Sequence, residues 1–138
     1  VNSRTTPSQS IHDRVIEAVG ASQSNHDTYE NPNQQKNVSV TIDGQDVYPD
    51  LVLCKRGSMT VTHLIEVETA ESITDAESEQ WAQYARGPGQ FWLLVPHDQL
   101  KTAMAICRRK GIACNFGQWS RGLQGIHFKW LEDAVASH

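Results

Sequence analysis

Residues 48–68 read YPDLVLCKRGSMTVTHLIEVE, and the fold turns on this stretch. Leu51 to Cys54 is an unbroken apolar run, Lys55-Arg56-Gly57-Ser58 is turn chemistry, and Thr60 to Glu68 is β-branched and alternating. Two strands joined by a tight turn are expected, the first running from Val47 to Cys54. Residues two apart in a strand share a face, so Leu64, Glu66 and Glu68 leave one side of the sheet while Ile65 and Val67 leave the other, buried one. Glu66 and Glu68 then stand roughly 7 Å apart. Asp50 sits just after Pro49 on the neighbouring strand, in apolar surroundings. Carboxylates so placed are costly unless solvated or bound to something. Three acids on adjacent strands make a hard-oxygen site suited to Mg2+ or Mn2+. The plain alternative is a solvent-facing sheet surface, against which Leu64 on the same face argues.

Working outward, Val38 to Ile42 alternates and is followed by Asp43-Gly44, a strong hairpin signal, which adds a third antiparallel strand ahead of the two. Before it, residues 21–37 are rich in Ser, Asn and Gln and read as a surface loop. A first helix is expected from Ser10, where Ser10 and Asp13 have capping-box spacing and Ile11, Val15, Ala18 and Val19 recur on one face, with Gly20 as the stop. After Glu68, Thr74 and Glu77 form a second capping box, opening a helix to about Arg86 that Gly87-Pro88-Gly89 ends. Gln90 to Val95 reads as a strand buried on both faces, and Asp98 to Lys110 as an amphipathic helix stopped by Gly111. The tail from Phe116 to Trp130 is expected to give one or two strands, and Leu131 to Ala136 a helical end. The order is α-β-β-β-α-β-α-β, a mixed central sheet flanked by helices, of class α/β (α+β).

The chain has 138 residues, enough for one such domain and too few for two full cores. Phe91 to Val95, the longest apolar run, is too short to span a bilayer, so no membrane partner is expected. Residues 1–10 hold no apolar stretch of the kind a secretory signal needs. Three cysteines without a CxxC pair suggest neither a disulfide framework nor a zinc ribbon, and a reducing cytoplasm fits them. The six histidines show no ligand spacing. A net charge of −4 argues against a general DNA binder, which wants a basic surface. A metal-dependent site needs only a local basic rim, for which Lys55, Arg56, Arg86 and Arg108-Arg109-Lys110 are the candidates; placement in a helix's last turn is the preferred account of the last run. No catalytic triad, nucleophile elbow, P-loop or dinucleotide fingerprint occurs.

Pro49-Asp50, a turn, and the strand Leu64-Ile65-Glu66-Val67-Glu68-Thr69 resemble the PD-(D/E)XK nuclease superfamily, and the α-β-β-β-α-β order resembles that superfamily's core over roughly residues 11–95. Gln80-Trp81-Ala82-Gln83-Tyr84 is similar to the QxxxY feature of its exonuclease branch, and EVET…QW..Y…FxLxVP resembles a bacterial branch of the superfamily. The resemblance implies DNA as the partner, Mg2+ (or Mn2+) as the cofactor, Asp50 and Glu66 as metal ligands, and Gln80 and Tyr84 as residues that orient phosphate or water. It also implies a further acid on the first helix, where Glu17 stands; Glu17 lies on that helix's polar face beside Asp13, and solvation is the better account of it than ligation. The chain departs at the motif's lysine, which is Glu68 here. By resemblance Glu68 serves as a base or a further ligand.

Gln80 and Tyr84, one turn apart, serve equally well to pack their helix on the sheet, and Trp81 reads as core. Two functions follow: an enzyme hydrolysing DNA phosphodiester bonds, or a protein of the same fold that has lost catalysis with its lysine and works as a binding or assembly module. A homodimer is an expected assembly for a fold of this size, with the aromatic tail as its surface; filling of the core is the simpler account of those aromatics.

Overall fold

The computed structural model describes residues 4–135, with side chains described through residue 131. Helix α1 (Thr6–Ala21) opens one turn ahead of Ser10. Thr5 caps it by accepting from the Ser8 N–H, and Pro7 sits in the first turn, where a missing N–H costs nothing. Its stripe of Val15, Ile16 and Val19 is buried, and His12 falls on the same stripe.

The segment expected to be a loop contains a strand, β1 (His26–Glu30), paired antiparallel with all of β4 (Leu51–Lys55). HDTYE carries no apolar alternation because it is an edge strand, half-buried along its length, recruited by ladder hydrogen bonds. The hairpin at Asp43-Gly44 forms, with φ of 53° and 77° at the two turn residues as a primed turn requires. Its strands β2 (Val40–Ile42) and β3 (Gln45–Val47) make a separate two-stranded sheet and do not join the main one. The strand expected over 47–54 is therefore broken at Tyr48-Pro49-Asp50, where proline has no N–H to give a ladder.

From β4 the chain turns into β5 (Val61–Val67), antiparallel to it, with Gly57 at φ 75° in the turn. Helix α2 (Ser78–Ala85) then leads to β6 (Gln90–Pro96), parallel to β5, and α3 (Leu100–Lys110) to β7 (Asn115–Gly122), parallel to β6. Strand β8 (Gly125–Val135) returns antiparallel to β7. The main sheet has six strands in the order β1-β4-β5-β6-β7-β8. The protein is thus α+β, three helices with a mixed sheet; within the main sheet the α-β-β-β-α-β order is made by β1, β4 and β5, with β1 in the place expected for Val38 to Ile42. The expected helical end is corrected: β7 recruits residues 125–135 into a strand, because pairing along a full neighbour outweighs weak local helix preference. Ala136 lies outside the described residues.

Alternation along β4, β5 and β6 sends side chains to two cores. Val52, Leu64, Leu93 and Val95 pack under Trp81 and Tyr84 of α2 and Ala103, Ile106 and Cys107 of α3. Leu51, Leu53, Ile65, Val67 and Leu94 pack under α1. Both faces are covered, which is why LVLC and FWLLV read as continuous apolar runs. Phe116 and Trp119 join these cores, while Phe128 and Trp130 pack half-buried against the α1 side. Gly111, left-handed at φ 69°, ends α3, and Arg108, Arg109 and Lys110 occupy its last turn. The three cysteines are unpaired and buried. Among the described residues no helix is long and apolar enough to cross a membrane.

Candidate functional site

Strands β4 and β5 run in opposite directions, so the start of one meets the end of the other, and Leu51 pairs with Ile65. This register brings Asp50 beside Glu66. The Asp50 N–H donates to Glu66 Oε1 at 2.9 Å, and the Val67 N–H donates to Asp50 Oδ2 at 2.8 Å. The pleat places Ile65 and Val67 on the opposite, buried face, as the alternation requires. Asp50, Glu66 and Glu68 are all buried, Glu68 completely.

Glu68 follows β5, its N–H still donating to Leu94 on β6. Its Oε1 accepts from Ser72 Oγ at 2.5 Å and Arg4 Nη2 at 3.2 Å, and its Oε2 from Trp81 Nε1 at 2.9 Å. Ser72 comes from the helical turn Ala70–Ser72, which Thr69 caps. Burial pushes the Glu68 carboxyl up to about 8 against the pull of Ser72 and Arg4, with Glu77 and Asp50 adding to the rise. Burial also holds Glu66 well above the ordinary carboxylate range, reinforced by Asp50 and Glu68.

Helix α2 supplies the other wall. The Glu77 N–H donates to the Thr74 hydroxyl, as in a capped turn, but regular helix starts only at Ser78 and the Glu77 side chain turns inward. Glu66, Glu68 and Glu77 each place one carboxylate oxygen within 4.8 Å of the others. The Gln80 amide takes the orientation its neighbours dictate. Its nitrogen donates to Glu66 Oε2 at 3.2 Å and Glu77 Oε2 at 3.0 Å, and its oxygen accepts from the Tyr84 hydroxyl at 3.0 Å. Tyr84 is buried, and burial together with Glu66 pushes its phenol upward, so it stays a neutral donor. Burial likewise raises Glu77.

From the other side of the sheet, α1 delivers His12, whose Nε2 lies 2.9 Å from Asp50 Oδ2 and whose Nδ1 faces Asp13. Burial opposes charge on this imidazole, but Asp50 outweighs it and the net shift is upward. Part of this constellation opens on a cavity of about 320 Å3 lined by Arg4, His12, Lys36, Tyr48, Asp50, Glu66, Glu77 and Gln80 among others.

The structure therefore gathers Asp50, Glu66, Glu68, Gln80 and Tyr84 at one end of the sheet. Asp50 stands beside the three-carboxylate cluster, and Glu68 stays behind the cavity wall. Glu17 is elsewhere: exposed on α1, it borders a different groove, and its charge acts on Glu30. The expected basic rim is also elsewhere. Lys55 and Arg56 sit at the far end of β4, Arg86 pairs with Asp43, and Arg109 pairs with Asp75. Sequence reasoning missed Arg4, His12 and Glu77. His12 left a signal, a polar residue on the stripe of Val15, Ile16 and Val19; Glu77 was masked by its capping role; Arg4 left none. Compared with family models, curated proteins and solved structures, the chain matches none of them.

Proposed function

We propose that the acidic cavity is a divalent-cation site for hydrolysis of nucleic-acid phosphodiester bonds, with Glu66, Glu68 and Glu77 as ligands and Asp50 beside them. The carrying observation is the convergence of Glu66, Glu68 and Glu77 oxygens within 4.8 Å of one another beside Asp50, with Glu66, Glu77 and Asp50 lining an open cavity. Carboxylates held so close and so deep repel one another, by about 3 kcal/mol per pair at an effective dielectric near 20. Either protons or a cation must relieve them. The donors fit Mg2+ or Mn2+, since all are hard carboxylate oxygens and Glu68 Oε2, accepting one hydrogen bond, keeps a lone pair. The sequence resemblance to metal-dependent nucleases favours the same chemistry.

Bound there, a divalent cation supplies Lewis acidity toward a phosphoryl oxygen and makes water a better nucleophile at neutral pH. The chain's own residues do the positioning. His12 and the Val67 N–H fix Asp50; the Asp50 N–H and Gln80 fix Glu66; Tyr84 fixes Gln80. Glu68 also anchors Arg4 at the cavity wall through its Oε1.

One observation favours the second reading, a binding or assembly module without catalysis. Where the resemblance calls for a lysine, Glu68 is fully buried and holds Arg4, Ser72 and Trp81. Calorimetric titration with Mn2+ and Mg2+, together with plasmid nicking and single-strand degradation, separates the two. The enzyme reading expects metal binding and metal-dependent cleavage by the wild type, both lost in Asp50→Ala and Glu66→Ala. Absent binding at millimolar metal, with no cleavage by wild type or Glu68→Lys, leaves the module.

A further inference from the structure

Resting on the hydrolytic reading of the acidic cavity, we infer that Lys36 is the residue that grips the substrate's phosphate backbone there, and that the strand it takes is unpaired. A cavity floored by carboxylates repels a phosphodiester unless its wall carries positive charge. His12 faces Asp50 and Asp13, and Arg4 is turned toward Glu68, Ser72 and Thr69. Lys36 is different: it lines the cavity, is exposed, and has no carboxylate partner among the described residues. Its ammonium stands 5.5 Å over the ring of Tyr48, two residues ahead of Asp50, so the ring holds the charge near the acids without neutralising it.

The segment carrying Lys36 is built to stay in place. Asn31, 3% exposed, donates through its amide to the Val38 and Pro49 carbonyls and accepts from the N–H groups of Asn37 and Val38. The Asn33 N–H is tied to Asp13 on α1. Between these ties Asn33 and Gln34 hold φ of 51° and 59°. Two consecutive non-glycine residues in the left-handed region persist only where their surroundings impose it, and such conformations concentrate at binding sites. The same segment, with α2 opposite, makes the acids the floor of a recess and not a ridge. A phosphate that reaches them has to descend between the walls, which a strand free of its partner does and a stacked, paired backbone resists.

The test uses the full chain and a fluorescein-labelled oligonucleotide, single-stranded or annealed to its complement, with anisotropy read across a salt series in Ca2+. Wild type is expected to bind the single strand more tightly than the duplex. Lys36→Met is expected to weaken that binding several-fold and to flatten the log–log salt dependence by about 0.7, the loss of one phosphate contact on a single strand. Lys36→Arg keeps the slope. Tyr48→Leu lowers affinity, and Tyr48→Phe, which keeps the ring, restores it. Calorimetric Mn2+ binding unchanged in Lys36→Met reports the acids separately. Lys36-dependent strand binding without Mn2+ binding sinks the hydrolytic reading and keeps the contact. Cleavage whose KM and salt dependence ignore Lys36→Met, equal affinity for strand and duplex, or no oligonucleotide binding by wild type overturns the inference.

Discussion

Replacing Glu68 by glutamine should uncouple much of the protein's stability from pH. The Glu68 carboxyl is completely buried and pushed from 4.5 up to about 8. Between those values the unfolded chain has released this proton and the folded chain still holds it, so raising the pH favours unfolding. The stabilisation is complete below pH 4.5 and gone once the pH has passed about 8. At about 1.4 kcal/mol per pH unit per proton, the span from roughly pH 5 to 7.5 is worth about 3 kcal/mol. Glutamine keeps the volume and the acceptor for Trp81 and removes the titration. Urea denaturation of both proteins with a chelator present, at the two pH values, measures the difference of differences, which is independent of whatever fixed cost the substitution carries. Wild type should lose more stability than Glu68→Gln by this order, the residual slope of the variant belonging to Glu66 and Glu77, which burial also raises. Equal pH dependence in the two proteins would refute the claim that Glu68 titrates as a buried group. Saturating Mn2+ should flatten the wild-type dependence, since a cation replaces the protons.

Asn31→Ala removes a buried amide that makes four hydrogen bonds to the 31–38 segment and Pro49, and should cost about 2 to 4 kcal/mol in urea denaturation, with amide exchange accelerated first around residues 31–38; protection unchanged there would mean that the segment is held by something else. Gly89→Ala places a Cβ 2.5 Å from the Thr62 carbonyl oxygen at a φ of 74°, and should destabilise by about 1 to 3 kcal/mol, read as a lower denaturation midpoint with an unchanged slope.

What the amino-acid sequence determined by itself is the part whose signal is local. The turn at Lys55–Ser58 and the alternation of TVTHLIEVE placed Leu64 and Glu66 on one face and Ile65 and Val67 on the other, because a pleat leaves no other choice once one face is buried. Helix α3 ends at its glycine, and β6 is buried on both faces, for equally local reasons. Only the tertiary structure decided the rest. HDTYE became a strand because β4 offered it an edge, and residues 125–135 became one because β7 did; neither fact resides in those residues. The Tyr48–Asp50 break detached the hairpin from the main sheet, a choice made by what the hairpin packs against. The site divides in the same way. Asp50 and Glu66 meet because adjacent antiparallel strands must bring them together, but Glu77 joins through the placement of α2, His12 reaches Asp50 across 38 positions of chain, and Arg4 reaches Glu68 across 64. Contacts at such separations are set by how layers stack, which no local pattern of residues encodes.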